Sequence, residues 1–175
     1  MGATETMDQQ HMMDRWAKYG TPGPEHDHFK KLVGKWDAKI KFWMSADAPP
    51  HVGAGVSEFE VVFAGRYMVQ RYKGESMGMP FEGIGISGFD RYRGEFFDTW
   101  FDSMGTSFMM SRSKDKGDRK EFKSLMDDPV GDRRDVHMRT VASWKGSDTH
   151  IIEMFCVGHD GKEFQNMEIV FTRQK

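Results

Sequence analysis

From residue 36 onward the chain alternates apolar and polar positions. In "WDAKIKF" (36–42), Trp36, Ala38, Ile40 and Phe42 fall on one side and Asp37, Lys39 and Lys41 on the other. That period of two is the mark of a strand with one buried face. The pattern predicts ten strands, at 36–44, 55–63, 66–74, 81–88, 95–103, 105–113, 119–126, 134–144, 149–157 and 163–173. The separators, such as "ADAPPHVG", "DRYRG", "KDKGD" and "GHDGK", are rich in glycine, proline and aspartate, as turns require. Asp160-Gly161 between two alternating runs is the strongest hairpin signal. Every connection is too short for a helical crossover, so the strands are expected to pair antiparallel with their sequence neighbours.

Upstream the period changes. Residues 5–19 read as a helix, with Met12, Trp16 and Tyr19 at i, i+4 and i+7 and Gly20 as the stop. A second short helix fits 24–33, with Pro24 in its first turn and Gly34 at its C-terminal cap. Ten successive antiparallel strands dispose of their edges most completely by closing on themselves; a sandwich would need longer crossing connections. The expected fold is mainly β: a single antiparallel meander β-barrel of about 8–10 strands, with short N-terminal helices capping one end. Residues 1–22 form a helical extension in this reading and 23–175 the barrel domain.

Composition narrows the function. The 175 residues suit one domain. With 25 Lys+Arg against 27 Asp+Glu, the formal charge is −2, without the basic excess of a nucleic-acid binder. The one cysteine, Cys156, excludes an internal disulfide framework and a cysteine-based zinc site; it sits in the apolar run "IIEMFCV" and reads as a buried small hydrophobe. No apolar run approaches a membrane-spanning length and none resembles a secretory leader. The expectation is a cytoplasmic protein with no membrane partner.

With the strands laid out, "GPEH" (23–26), "LVGKWDAKIKFWMSADAPP", "GRYMVQRYKGESMGMPFEGIGISGFDRYRGEFFDTWFDSMGT" and the closing "DGKEFQNMEIVFTRQK" together resemble a bacterial domain-of-unknown-function family, number 1579. The resemblance covers roughly residues 23–175. It implies a calycin-like barrel, of the group that holds lipocalins and fatty-acid-binding proteins. In that group the tryptophan of Gly-x-Trp, here Gly34 and Trp36, packs across one barrel end, which implies a structural role for Trp36. It supplies no catalytic residues. Lipocalins are mostly secreted and disulfide-bonded, features this chain lacks.

The densest stretch is "FFDTWFDSMGTSFMM" (96–110). Asp98, Trp100 and Asp102 share one strand face; Phe97, Thr99, Phe101 and Ser103 share the other. The two carboxylates lie about 13 Å apart along the strand, too far for a glycosidase pair. Asp102 is assigned either to the lumen or rim, or to holding the turn at Met104-Gly105. His26 and His28 in "HDH" read as a surface pair. His137 and His150 lie on neighbouring strands, where they would face each other across a lumen with Arg139, Glu153 or Glu168. "GIGISG" (83–88) lacks the following helix that a phosphate-binding loop needs; its glycines read as a bend in a barrel strand. The 15 methionines fill cores, and they also line adaptable apolar sites.

The leading reading is a small-molecule binding module whose barrel lumen takes an apolar or amphipathic ligand. The residues assigned to that lumen are Arg71, Asp102, His137, Arg139, His150, Glu168, Trp100, Met77, Met79 and Met109. Two alternatives stand beside it: an enzyme using Asp, His and Arg groups of the same lumen, and a structural or interaction protein with a filled barrel. No nucleophile elbow, phosphate loop or dinucleotide fingerprint is present, and catalytic residues are not assigned. No metal or cofactor is expected; haem on His137 or His150 lacks an axial-ligand motif. The expected partner is a small hydrophobic or amphipathic molecule, and a homodimer is an open alternative.

Overall fold

A computed structural model describes residues 8–175. Helix α1 (Gln9–Gly20) leads to a 3-10 turn (Pro24–His26) and the one-turn helix α2 (Asp27–Lys30). The strands follow as β1 (Gly34–Phe42), β2 (His51–Val62), β3 (Tyr67–Ser76), β4 (Met79–Asp90) and β5 (Glu95–Asp102). They continue as β6 (Met109–Ser113), β7 (Lys120–Asp128), β8 (Arg133–Trp144), β9 (Thr149–Val157) and β10 (Glu163–Arg173). Each strand pairs antiparallel with the next, and β1 pairs with β10, which closes the barrel. The expected closed meander is therefore the observed one. The part of the first predicted helix before residue 8 lies outside the described residues.

The register sorts the side chains. Trp36 is opposite Ser57, Ser57 opposite Tyr72, Tyr72 opposite Gly83, and Gly83 opposite Asp102. That row starts at the helical end and finishes at the other rim, because barrel strands tilt against the axis. Outside the irregularities in β7 and β10, alternate positions along each strand face the lumen and the rest form the outer wall.

The helical end is packed shut. Trp36 is fully buried and donates its indole N–H to the Leu32 carbonyl at 2.7 Å. The Arg173 guanidinium lies 4.2 Å over the Trp36 ring and donates to the carbonyls of Val33 and Lys31. One arginine thus ties the last strand to the turn that precedes the first. Gly34 joins that turn to β1 at φ +115°, a left-handed conformation that favours glycine. Phe29 and Leu32 drop into the barrel against Phe59, Phe89, Phe96 and Phe171. Lys116–Glu25 at 2.8 Å and Lys31–Asp118 at 2.9 Å join the cap to the β6–β7 turn.

Three expectations are corrected. His26 and His28 are not a surface pair: His26 is buried against Phe89, accepting from the Gly23 N–H, and His28 packs on Phe96 and Trp144. The helix expected over 24–33 is instead a 3-10 turn and a single α turn, because the chain must aim Phe29 and Leu32 inward within a few residues. The sixth strand begins at Met109 instead of 105, since residues 103–108 form a loop at the open rim. Helix α1 buries none of its residues, and Trp16 is exposed; Tyr19 touches the barrel edge-on through Tyr92, ring centroids 5.2 Å apart.

Candidate functional site: the barrel lumen

Above the packed floor the inner wall is less completely covered, although several of its residues still pack against the core. Ile40, Gln70, Trp100, Phe122, Thr140, Ile152 and Ile169 all face inward by register, yet each keeps part of its surface free of protein contact. In a close-packed interior they would be fully covered. Two shallow grooves also indent the outside. One, about 340 Å³, lies between Pro22–Lys30 and the β2–β3 turn; the other, about 520 Å³, runs over Glu95, Arg112 and Lys123. Both are open to solvent; the first mixes Pro22, Pro24, Val61 and Ala64 with His26, Asp27 and Lys30, and the second is lined by charged and hydroxyl side chains.

The lumen is two-sided. Ile152, Met154, Met167, Ile169, Ile40 and Phe42 of β9, β10 and β1 make an apolar wall. Facing it, Ser87, Asp98, Ser111 and Ser124 stand opposite one another in an unbroken row across β4, β5, β6 and β7. Gln70 donates to Ser57 at 2.9 Å beside this row, and Ser87 donates to Asp98 at 2.5 Å. Among the described residues, the buried polar atoms with no hydrogen-bond partner are Tyr72 Oη, Ser124 Oγ, Thr140 Oγ1, Trp144 Nε1, His150 Nδ1 and Asn166 Oδ1. Five of the six belong to side chains that face inward by register, and Asn166 sits in the bulge of β10. Leaving such groups unpaired costs about 1–3 kcal/mol each, so a folded protein keeps them where water or a ligand completes them.

Asp98 stands out electrostatically. It is enclosed by the barrel, and burial pushes its carboxyl up to about 6 against the lowering effect of the Ser87 hydroxyl. Part of the residue is nevertheless left uncovered by protein. Asp102, at the rim, accepts from Trp100 Nε1 at 2.9 Å and from the Met104 N–H at 2.9 Å. It holds both the indole and the turn. At the floor, Lys120 donates to the Gly117 carbonyl, lies over the Phe96 ring and stands 3.3 Å from His28 Nδ1. Burial lowers its pKa. His28 and His150 are both held down at about 4, first by burial and then by neighbouring positive charge.

The structure places His150, Trp100, Asp102 and Met109 on the inner wall. Met77 and Met79 sit exposed at the β3–β4 hairpin, on the rim. The remaining assignments are corrected. Arg71 alternates with inward Gln70 and Tyr72 and is exposed outside. His137 lies between inward Val136 and Met138 and is exposed. Arg139 lies on the outer wall, where it grips Glu163 at 2.6 Å and covers the Phe155 ring. Glu168 pairs outside with Lys41 at 2.9 Å. The expected His137–His150 pair across the lumen does not form. Charged side chains on an outer wall find partners and water, which an apolar lumen denies them.

The hydroxyl row was missed. Serine at inward positions looks like a polar interruption in a strand, and only counting alternate residues from Met109 or Phe122 would have turned Ser111 and Ser124 inward. No metal-binding cluster of His, Cys, Asp or Glu occurs among the described residues.

Residues 21–173 match the family described as "Protein of unknown function (DUF1579)". The chain belongs to that family. No curated protein matches it. Among solved structures, the DUF1579 chain is similar to Rv2717c from M. tuberculosis, with TM-score 0.63 and 14% identity over 89% of this chain and 100% of that one. It is also similar to the S-type phycobiliprotein lyase CPES from Guillardia theta, with TM-score 0.53 and 9% identity over 88% and 99% of the two chains. At these identities the likeness is one of fold. No helix among the described residues is long and apolar enough to cross a membrane.

Proposed function

We propose that this DUF1579 protein binds one small amphipathic molecule in the upper half of its barrel. The observation that carries the reading is the ring of inward-facing residues that the barrel leaves partly uncovered, Ile40, Gln70, Asp98, Trp100 and Ile169 among them. An apolar wall supplies area, and the opposite wall supplies oriented hydrogen-bonding groups, the usual division of labour in a ligand site. The similar barrel from Guillardia theta is a phycobiliprotein lyase, so a barrel of this shape is compatible with work on another molecule.

The enzyme reading ranks second. One feature favours it: a carboxyl held near neutrality inside the lumen, as acid–base chemistry requires. Its inward neighbours in the register row are hydroxyls, which puts binding ahead.

The test uses the full chain and N-phenyl-1-naphthylamine, a neutral dye that brightens on leaving water. Saturable brightening near one dye per chain, lost when Ile152→Trp fills the lumen of a still-folded barrel, is expected. Dye that stays dark, or binds equally to the filled variant, would remove the reading.

A further inference from the structure

Asp98 occupies the middle of the polar wall, with Ser87 on one side and Ser111 then Ser124 on the other. Among the described residues its hydrogen-bond donor is the Ser87 hydroxyl, and no lysine, arginine or histidine charge acts on it. The inward cation, Lys120, is committed to the Gly117 carbonyl at the floor. A neighbouring hydroxyl on the same wall, Ser124 Oγ, has no partner. The Met and Ile wall across the lumen offers Asp98 nothing polar.

A carboxylate in an enclosed, largely apolar space is costly unless a cation or several donors reach it. Here the protein supplies one hydroxyl, and the residue is left partly uncovered. An anionic ligand head would meet like charge. A neutral head could satisfy the serines but not the charge. A protonated amine satisfies both, since its three N–H groups match a carboxylate flanked by hydroxyl acceptors.

We propose that the lumen selects cationic amphipaths, with Asp98 taking the ammonium or amidinium head between Ser87 and Ser111 while the aliphatic or aryl body lies on the Met154–Ile169 wall. This deepens the ligand-binding reading and rests on it.

Dodecylamine, dodecan-1-ol and dodecanoic acid share one tail and differ in head charge. The full chain is titrated with each at pH 7.5 by calorimetry and, separately, by displacement of the neutral dye. The amine should bind about tenfold or more tighter than the alcohol, as a charge-assisted hydrogen bond provides, and the acid weakest. Asp98→Asn should remove the amine's advantage while leaving the alcohol within about twofold. Asp98→Ser, which continues the hydroxyl row, should behave alike and guards against misfolding of the first variant. Dye binding with no preference for the amine, or an amine preference that survives both substitutions, would overturn the cationic selection alone. Absence of both dye brightening and binding heat would overturn the lumen site itself.

Discussion

The indole of Trp100 lies flat against the bare backbone of Gly83: a Cβ built on Gly83 would overlap the ring. Its other face neighbour on β4, Gly85, leaves a similarly narrow gap, 3.3 Å from a built Cβ to Cε3. The glycines of "GIGISG" are thus the slot in which Trp100 lies, held at its tip by Asp102. Gly83→Ala should push the indole off its seat and break the bond to Asp102. Overpacking of this kind costs about 1–3 kcal/mol, roughly 2–12 °C in the thermal midpoint of a chain this size. Gly20→Ala, where a built Cβ meets nothing within 4 Å, is the matched control. Equal midpoints for the two variants would show that Trp100 does not depend on the slot.

Trp36 and Arg173 form the second structural dependence. The indole fills the floor, and the guanidinium stacked on it carries the turn carbonyls of Lys31 and Val33. Trp36→Ala opens a large cavity and strips Arg173 of its platform. The expected loss is about 3–5 kcal/mol, a fall of roughly 6–20 °C. Arg173→Gln should cost less, and the double variant should lose less than the sum, because the two side chains act on one junction. Strict additivity in thermal unfolding would show that they act separately.

The fold was legible because alternation survives in nearly every strand, and because turns such as Asp160-Gly161 punctuate it. The site was less legible, and the failures are local. In β10 the register shifts between Gln165 and Met167, so Asn166 is an extra residue. Counting by twos from inward Phe164 puts Glu168 in the lumen; counting back from Phe171 puts it outside, where it pairs with Lys41. A bulge resets the parity that sequence reading relies on. In "VHMRT" the apolar positions Val136 and Met138 did specify the inner face, and His137 and Arg139 were placed inward for their chemistry against that signal. His26 and His28 failed differently: two histidines flanking an aspartate carry no burial pattern, and only the cap's contact with Phe89, Phe96 and Trp144 covers them.

The buried titratable groups set a pH dependence with opposing parts. His28 and His150, held at about 4, contribute their stability in full above pH 6.5. They lose it as the pH falls toward 4, because the unfolded chain takes up those protons first. Burial lowers His26 as well, with the same sign. Asp98, raised to about 6, acts in reverse: its cost is complete above pH 6 and fades as the pH falls toward 3.8. The histidines outnumber the carboxyl, so stability should fall between pH 6.5 and 4.5 at about 1.4 kcal/mol per pH unit for each net proton. Thermal midpoints across that range should drop more steeply in Asp98→Asn and less steeply in His150→Gln. A midpoint independent of pH from 7 to 4.5 would contradict the buried neutral histidines.

Two threonines test whether the lumen's polar atoms are unpaired. Thr99 Oγ1, on the outer wall, donates to the Ile86 carbonyl at 3.2 Å. Thr140 Oγ1, opposite Phe122 and Met154 on the inner wall, has no partner among the described residues. Valine keeps the shape of both side chains and removes one hydroxyl from each. At Thr99 the change removes a made hydrogen bond and should destabilise by about 0.5–1.5 kcal/mol. At Thr140 it removes a group whose desolvation nothing offsets, so the ligand-free protein should be equally stable or more so, by up to about 1 kcal/mol. If Thr140→Val costs as much as Thr99→Val in the absence of ligand, the inner hydroxyl is already paired, and the polar wall is satisfied without any guest.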